Sequence, residues 1–293
     1  MISILIPTYN YSIFPLVKIL HEQCSVLNIP FEISVLEDAS TKVFTENTEI
    51  VSLKNTSYRK LETNVGRTKT RNLLAENAQY NWLLFLDADT TPVNDNFIEK
   101  YIEELNQITS VVFGGIQYSQ EKPTREYLLR WVYGTKRESK SVFERNKNPY
   151  YIISQNLFIE KNTFLQINKH LDNSYGMDNI FSYRLQKNGM EVKHIDNPVY
   201  HHGLEKGSVF LEKSLMAIDT LIYQESKNNI SENFTSLQKF YLKLKRMHLV
   251  EFTYKIIDPF LIKMKHNLCS EKPNIILLDF YKLYHYIKLK HGK

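Results

Sequence analysis

Short apolar runs alternate with longer stretches that carry one apolar face through the first third of the chain. Met1 to Ile6, Phe31 to Leu36 and Trp82 to Leu86 have strand length and are nearly continuous in apolar residues, as suits strands buried on both faces of a parallel sheet. Between the first two, from Ser12 to about Leu27, Phe14, Leu16, Val17, Leu20 and Leu27 recur at helical spacing, and Pro15 stands near the start, where a helix tolerates it. A polar crossover over 40–56 leads to a further strand, Ser57 to Leu61, then to helices over 67–79 and Asn96 to Ile108. This order predicts an α/β fold with a mostly parallel, doubly wound central sheet and flanking helices.

The pattern loosens afterwards. Val111 to Gly115 reads as a strand, 117–149 as a polar excursion with a short helix around Arg125 to Tyr133, and Tyr150 to Ile159 as β again. Asp178 to Gln186 suits a helix and Glu191 to Ile195 a strand; from Leu204 onward Lys, Tyr and Leu recur in long helical segments interrupted by Asn228-Asn229, Pro259 and Pro273. We therefore expect an α/β domain over 1–205 and a mainly helical, basic extension over 206–293, acting as a lid, a membrane contact or an oligomerisation element.

Composition adds limits. The 293 residues are 43% hydrophobic and 24% charged, with only Cys24 and Cys269 and no CxxC, so neither a disulfide framework nor a cysteine-rich zinc site is expected. Met1 to Ile6 lacks the basic and long apolar regions of a secretory signal, and no apolar run reaches spanning length. A cytoplasmic protein is the expectation, either free or peripheral on a membrane face. Net charge is +5, but 239–293 hold 12 Lys or Arg against 4 Asp or Glu, +8, leaving −3 on the rest. Lys243, Lys245, Arg246, Phe252 and Tyr254 interleave charge with apolar surface, which suits an anionic membrane or packing against the rest of the protein.

The chemistry concentrates at strand ends. Asp87-Ala88-Asp89 closes the Trp82 to Leu86 run, where open α/β sheets bind ligands and where carboxylates suit a hard divalent cation. Asp38 closes the Phe31 to Leu36 strand, either as a ligand acceptor or as a turn-former. Asn64-Val65-Gly66-Arg67 starts a helix that places Arg67 and Arg71 on one face, towards diphosphate or solvent. This is neither a dinucleotide nor a P-loop fingerprint. Asp178 begins another helix and suits a cap or a general base. His202, of the His201-His202 pair, is a candidate to complete an ion's shell, while Trp131 and Tyr133 suit an acceptor wall or packing.

In this order, Pro7-Thr8-Tyr9-Asn10, Glu37-Asp38-Ala39-Ser40, Asn64 to Arg67 with Arg71-Asn72, and Asp87 to Asp89 resemble the family 2 glycosyltransferases of GT-A, Rossmann-like fold. The resemblance continues through Gly114-Gly115, Gln155-Asn156 and Gly176-Met177-Asp178 to His201-His202, covering 1–205. It implies that Pro7, Thr8, Tyr9 and Asp38 hold the nucleotide base, uracil by preference. Asn64, Arg67, Arg71, Asp87, Ala88 and Asp89 would complete the donor site. Asp89, with Asp87 and His202, would hold Mg2+ or Mn2+ on the diphosphate of a UDP-sugar. Asp178 would deprotonate an acceptor hydroxyl and invert the anomeric centre; Met177 stands where the family usually has Glu.

The full Gln-x-x-Arg-Trp motif of processive synthases is missing, since Arg130-Trp131 precedes Asp178. The resemblance thus implies a nonprocessive enzyme of bacterial surface-polysaccharide assembly, acting on a glycan or lipid-linked saccharide. An anionic membrane surface and a second copy of the chain are the expected partners, with no nucleic acid. A sugar-1-phosphate nucleotidyltransferase and a non-catalytic glycan-binding protein are the alternatives.

Overall fold

The computed structural model describes residues 1–106, 109–169, 171 and 173–292. Its centre is a seven-stranded sheet of β1 (Ile2–Thr8), β2 (Phe31–Glu37), β3 (Thr56–Lys60), β4 (Trp82–Leu86), β6 (Val111–Phe113), β8 (Asn156–Glu160) and β9 (Val192–His194), in the order β3-β2-β1-β4-β8-β6-β9. β1 pairs parallel with β2 from Ile2↔Phe31 to Thr8↔Glu37 and with β4 from Ile2↔Trp82 to Leu5↔Phe85. β8 alone runs against its neighbours β4 and β6. Strand order reverses beside β1, so β2 and β4, entered from opposite sides, end at one edge; such a crevice is where ligands bind in open α/β sheets.

Side-chain alternation builds the two faces. Ile2, Ile4 and Ile6 share one core with Ile33, Val35, Leu84 and Leu86 of the neighbouring strands. Over it lie Leu16, Val17 and Leu20 of α1 (Phe14–Leu27) and Phe97, Ile98 and Tyr101 of α3 (Phe97–Ile102). Each such aliphatic side chain contributes about 2 kcal/mol by leaving water. Leu5, Leu83 and Phe85 are buried on the other face, with Phe85 4.4 Å from Phe164, a residue of α6 (Lys161–Asn168). Leu74 and Ala75 of α2 (Arg67–Asn77) are also buried.

A second sheet, β5 (Thr90–Pro92), β10 (Val199–His201) and β7 (Ile116–Gln117), was not expected from the periodicity. These strands have two or three residues, too few to show a period, and exist because β10 bridges the other two. The crossover at 40–56 contains a 3-10 helix, Thr45–Ser52. Where a helix over Asn96 to Ile108 was expected, α3 ends at Ile102 and a 3-10 turn, Glu103–Asn106, follows; Gln107 and Ile108 lie outside the described residues. The β-like stretch from Tyr150 becomes a strand only at Asn156.

The chain forms two units, one of 1–119, 139–173 and 185–203, the other of 120–138, 174–184 and 204–293. Both sheets, and the short α5 (Val142–Arg145), lie in the first. The second holds α4 (Leu128–Tyr133) and the start of α7 (Asp178–Lys187), and then the C-terminal helical extension. That extension comprises α8 (Gly207–Ser226), α9 (Ser236–Arg246), α10 (Val250–Ile257), α11 (Leu261–Leu268) and α12 (Ile275–Lys290). Leu129, Phe210, Leu211, Leu268 and Leu278 form a core there.

Candidate functional site

The first two strand ends are tied together by their own backbone. Asp38 N–H donates to Thr8 O (2.9 Å) and Asn10 N–H to Ser40 Oγ (2.8 Å). Asp38 is buried, and its two carboxylate oxygens accept from Val65 N–H (2.7 Å) and Gly66 N–H (2.8 Å), while Asn64 Nδ2 donates to Asp38 O (3.0 Å). Asp38 thus holds the loop that starts α2. Gly66 sits at φ 82, and a Cβ there would overlap the side chain of Asn173. Tyr9 stands half-exposed beside buried Thr8.

α2 carries its arginines to the end of β4. Arg67 donates to Asp87 Oδ2 (2.8 Å), and Arg71 to Asp87 Oδ1 (2.5 Å) and Ser154 O (2.7 Å). Asp87 N–H donates to Gln155 O (3.2 Å). Both oxygens of Asp87 therefore meet guanidinium groups, with Arg71 buried and Arg67 partly open to solvent. Two expected donor contacts, Arg67 and Arg71, are brought onto a third.

Asp89 has different surroundings. Its Oδ2 lies 3.2 Å from His201 Nε2, and His201 Nδ1 lies 3.1 Å from the Tyr118 hydroxyl. Burial opposes its charge, but the hydrogen bond and charge of His201, with the charge of Arg67, outweigh it and hold the Asp89 carboxyl below its ordinary value. His202, the imidazole expected towards an ion, has Nε2 2.7 Å from Thr91 Oγ1 instead; its backbone N–H donates to Asp89 O (2.8 Å). Alternation along β10 turns His201 inward, a signal that the adjacent pair in sequence leaves ambiguous. Gly203 brings backbone so near that a Cβ would overlap Asp89 Oδ2.

Thr8 Oγ1 and Gln155 Oε1 are buried without a hydrogen-bond partner among the described residues. Both flank the strand ends where Asp38 and Asp87 converge, and buried polar atoms of this kind suit a polar ligand. Asn156, by contrast, is fully used: Oδ1 accepts from the Tyr101 hydroxyl (2.6 Å), and Nδ2 donates to Gly115 O and Asn197 O (2.9 Å each).

In the second unit, Asp178 is the first residue of α7. Met177, before it, is buried, its sulfur 4.0 Å from Gln224 Nε2, so this position packs against α8. Trp131 and Tyr133 lie on α4. Tyr133 packs 5.0 Å from Phe210, with Lys282 Nζ 4.9 Å from its ring centroid.

The family profile described as Glycosyl transferase family 2 matches residues 3–169. No curated protein matches the chain. Among solved structures, S. aureus TarS 1-349 is similar over 100% of this chain and 92% of its own, with a TM-score of 0.50 at 16% identity. The mannosyltransferase PcManGT from Pyrobaculum calidifontis, in complex with GDP-Man and Mn2+, is similar over 76% of this chain and 64% of its own, with a TM-score of 0.52 at 13% identity. At such identities the likeness concerns the fold alone.

Proposed function

The chain belongs to glycosyl transferase family 2, and we propose that it inverts the anomeric centre as it moves a sugar from a UDP-sugar to a hydroxyl of a glycan or lipid-linked oligosaccharide, with Mg2+ or Mn2+ at the donor. The carrying observation is Asp89, kept ionised beside His201 at the strand edge where Asp38 and Asp87 also converge. Among the described residues no group of three carboxylate, imidazole or thiolate side chains forms an ion cage. Asp89 nevertheless supplies the carboxylate oxygen that suits these hard ions, which commonly share their shell with substrate phosphates and water, and His201 holds that carboxylate in place. Asp87 is better assigned to fixing Arg67 and Arg71 than to an ion. When bound, the ion would neutralise charge on the leaving diphosphate.

The chain's own residues have separate tasks in this proposal. Tyr9 and the loop held by Asp38 receive the base, with Thr8 and Asn64; Ala88 keeps the turn between the carboxylates narrow. Arg67, the more open guanidinium, faces the diphosphate. Asp178 takes the proton of the acceptor hydroxyl as that oxygen attacks the anomeric carbon and the diphosphate departs with the bond electrons. Trp131 and Tyr133 are assigned to the acceptor side, with Tyr133 fixed by Phe210.

Asp89→Asn and Asp178→Asn separate the two sides. D89N is expected to weaken Mn2+-dependent binding of a UDP-sugar by calorimetry. D178N is expected to keep donor binding and lose transfer by at least about a hundredfold. A folded D178N enzyme with normal transfer removes Asp178 from the base role.

A further inference from the structure

The stretch from Val250 to Leu268 is α10, a 3-10 turn over Asp258–Phe260, and α11 in succession. Val250, Ile257, Met264 and Leu268 are buried. A surface helix ordinarily turns polar residues outward opposite such a row. Here Phe252, Ile256, Phe260 and Ile262 are 62%, 48%, 51% and 85% exposed, so the outer side also presents large apolar groups. The first three recur at intervals of four, and exposed Lys255 and Lys263 stand among them.

Charge selects what this face meets. Residues 239–265 contain seven Lys or Arg and two acidic residues, Glu251 and Asp258, a net +5. Asp258 accepts from the Tyr284 hydroxyl (2.5 Å). Lysine is depleted in protein–protein interfaces, whereas at a bilayer surface aromatic and aliphatic groups enter the headgroup boundary while lysines extend to anionic phosphates. We propose that the exposed side of α10 and α11, through Phe252, Ile256, Phe260 and Ile262 with Lys255 and Lys263, docks the protein on an anionic lipid bilayer. The inference rests on this face and not on the reaction assigned above. Among the described residues no helix is long and apolar enough to cross a membrane, and the proposed contact is interfacial.

Flotation of the full chain with vesicles tests this, using phosphatidylcholine alone or mixed with phosphatidylglycerol. The wild type is expected to float with the mixed vesicles, more weakly at high salt, and to stay behind with phosphatidylcholine alone. F252S/I256S and K255E/K263E change exposed side chains and are each expected to reduce partitioning at least about tenfold, with melting unchanged. Failure of the wild type to bind mixed vesicles overturns the proposal, as does binding that K255E/K263E leaves intact. A soluble dimer that F252S/I256S dissociates, without vesicle binding, also overturns it and makes this face an interface between copies.

Discussion

At the scale of single residues, the site depends on groups that carry no chemistry of their own. Gly203 leaves space for Asp89, and Gly203→Ala would push that carboxylate off His201. Kinetics should show kcat/KM falling by about a hundredfold, as for a misplaced reactive group, while circular dichroism stays native. His194 behaves differently. Its Nε2 lies 2.9 Å from Pro149 O, and Arg145 faces Nδ1 at 3.4 Å. Burial lowers its pKa from 6.5, with the Pro149 bond opposing and the Arg145 charge adding to that shift. The unfolded chain therefore takes up the proton first. This contribution to stability is complete above 6.5 and lost as pH falls through the folded-state value. Urea midpoints measured from neutral pH to about pH 5 should fall less in H194Q than in the wild type.

Among the elements, the short ones depend most on their neighbours. Asn156 opens β8 and binds the Tyr101 hydroxyl of α3, the Gly115 carbonyl just before β7 and the Asn197 carbonyl two residues before β10. Asn156→Ala would strand those partners in the interior and should cost about 3 kcal/mol in denaturant unfolding. The long runs of β1, β2 and β4 were legible because period and length agree, and parallel crossovers bring their ends to one edge. The second sheet was not legible: two or three residues carry no period, and pairing partners distant in sequence decide the state.

For the whole molecule, the division into units cuts across chain order. Segments 120–138 and 174–184 belong with 204–293, so Asp178 lies in one unit and Asp38, Asp87 and Asp89 in the other. Within the helical unit, Glu225 joins three helices: its Oε1 accepts from Gln238 Nε2 (2.6 Å) and the Tyr286 hydroxyl (2.7 Å), and its Oε2 meets Lys290 Nζ (2.5 Å). Burial, then this carboxylate, raise the Tyr286 pKa. Glu225→Ala would remove the anion and leave its donors buried. Thermal or denaturant unfolding should show a loss of about 3 kcal/mol, the scale of a broken buried pair.

The amino-acid order by itself determined the parallel α/β core, the helical character of the C-terminal part and the presence of carboxylates at strand ends, because these follow from local period, length and the handedness of crossovers. Tertiary structure alone decided that Asp87 meets Arg67 and Arg71, that His201 rather than His202 lies on Asp89, and that Gly203 must lack a side chain. It also left Phe252 and Ile256 uncovered on α10. Partner choice and exposure depend on surfaces brought together from distant parts of the chain, which no local pattern encodes.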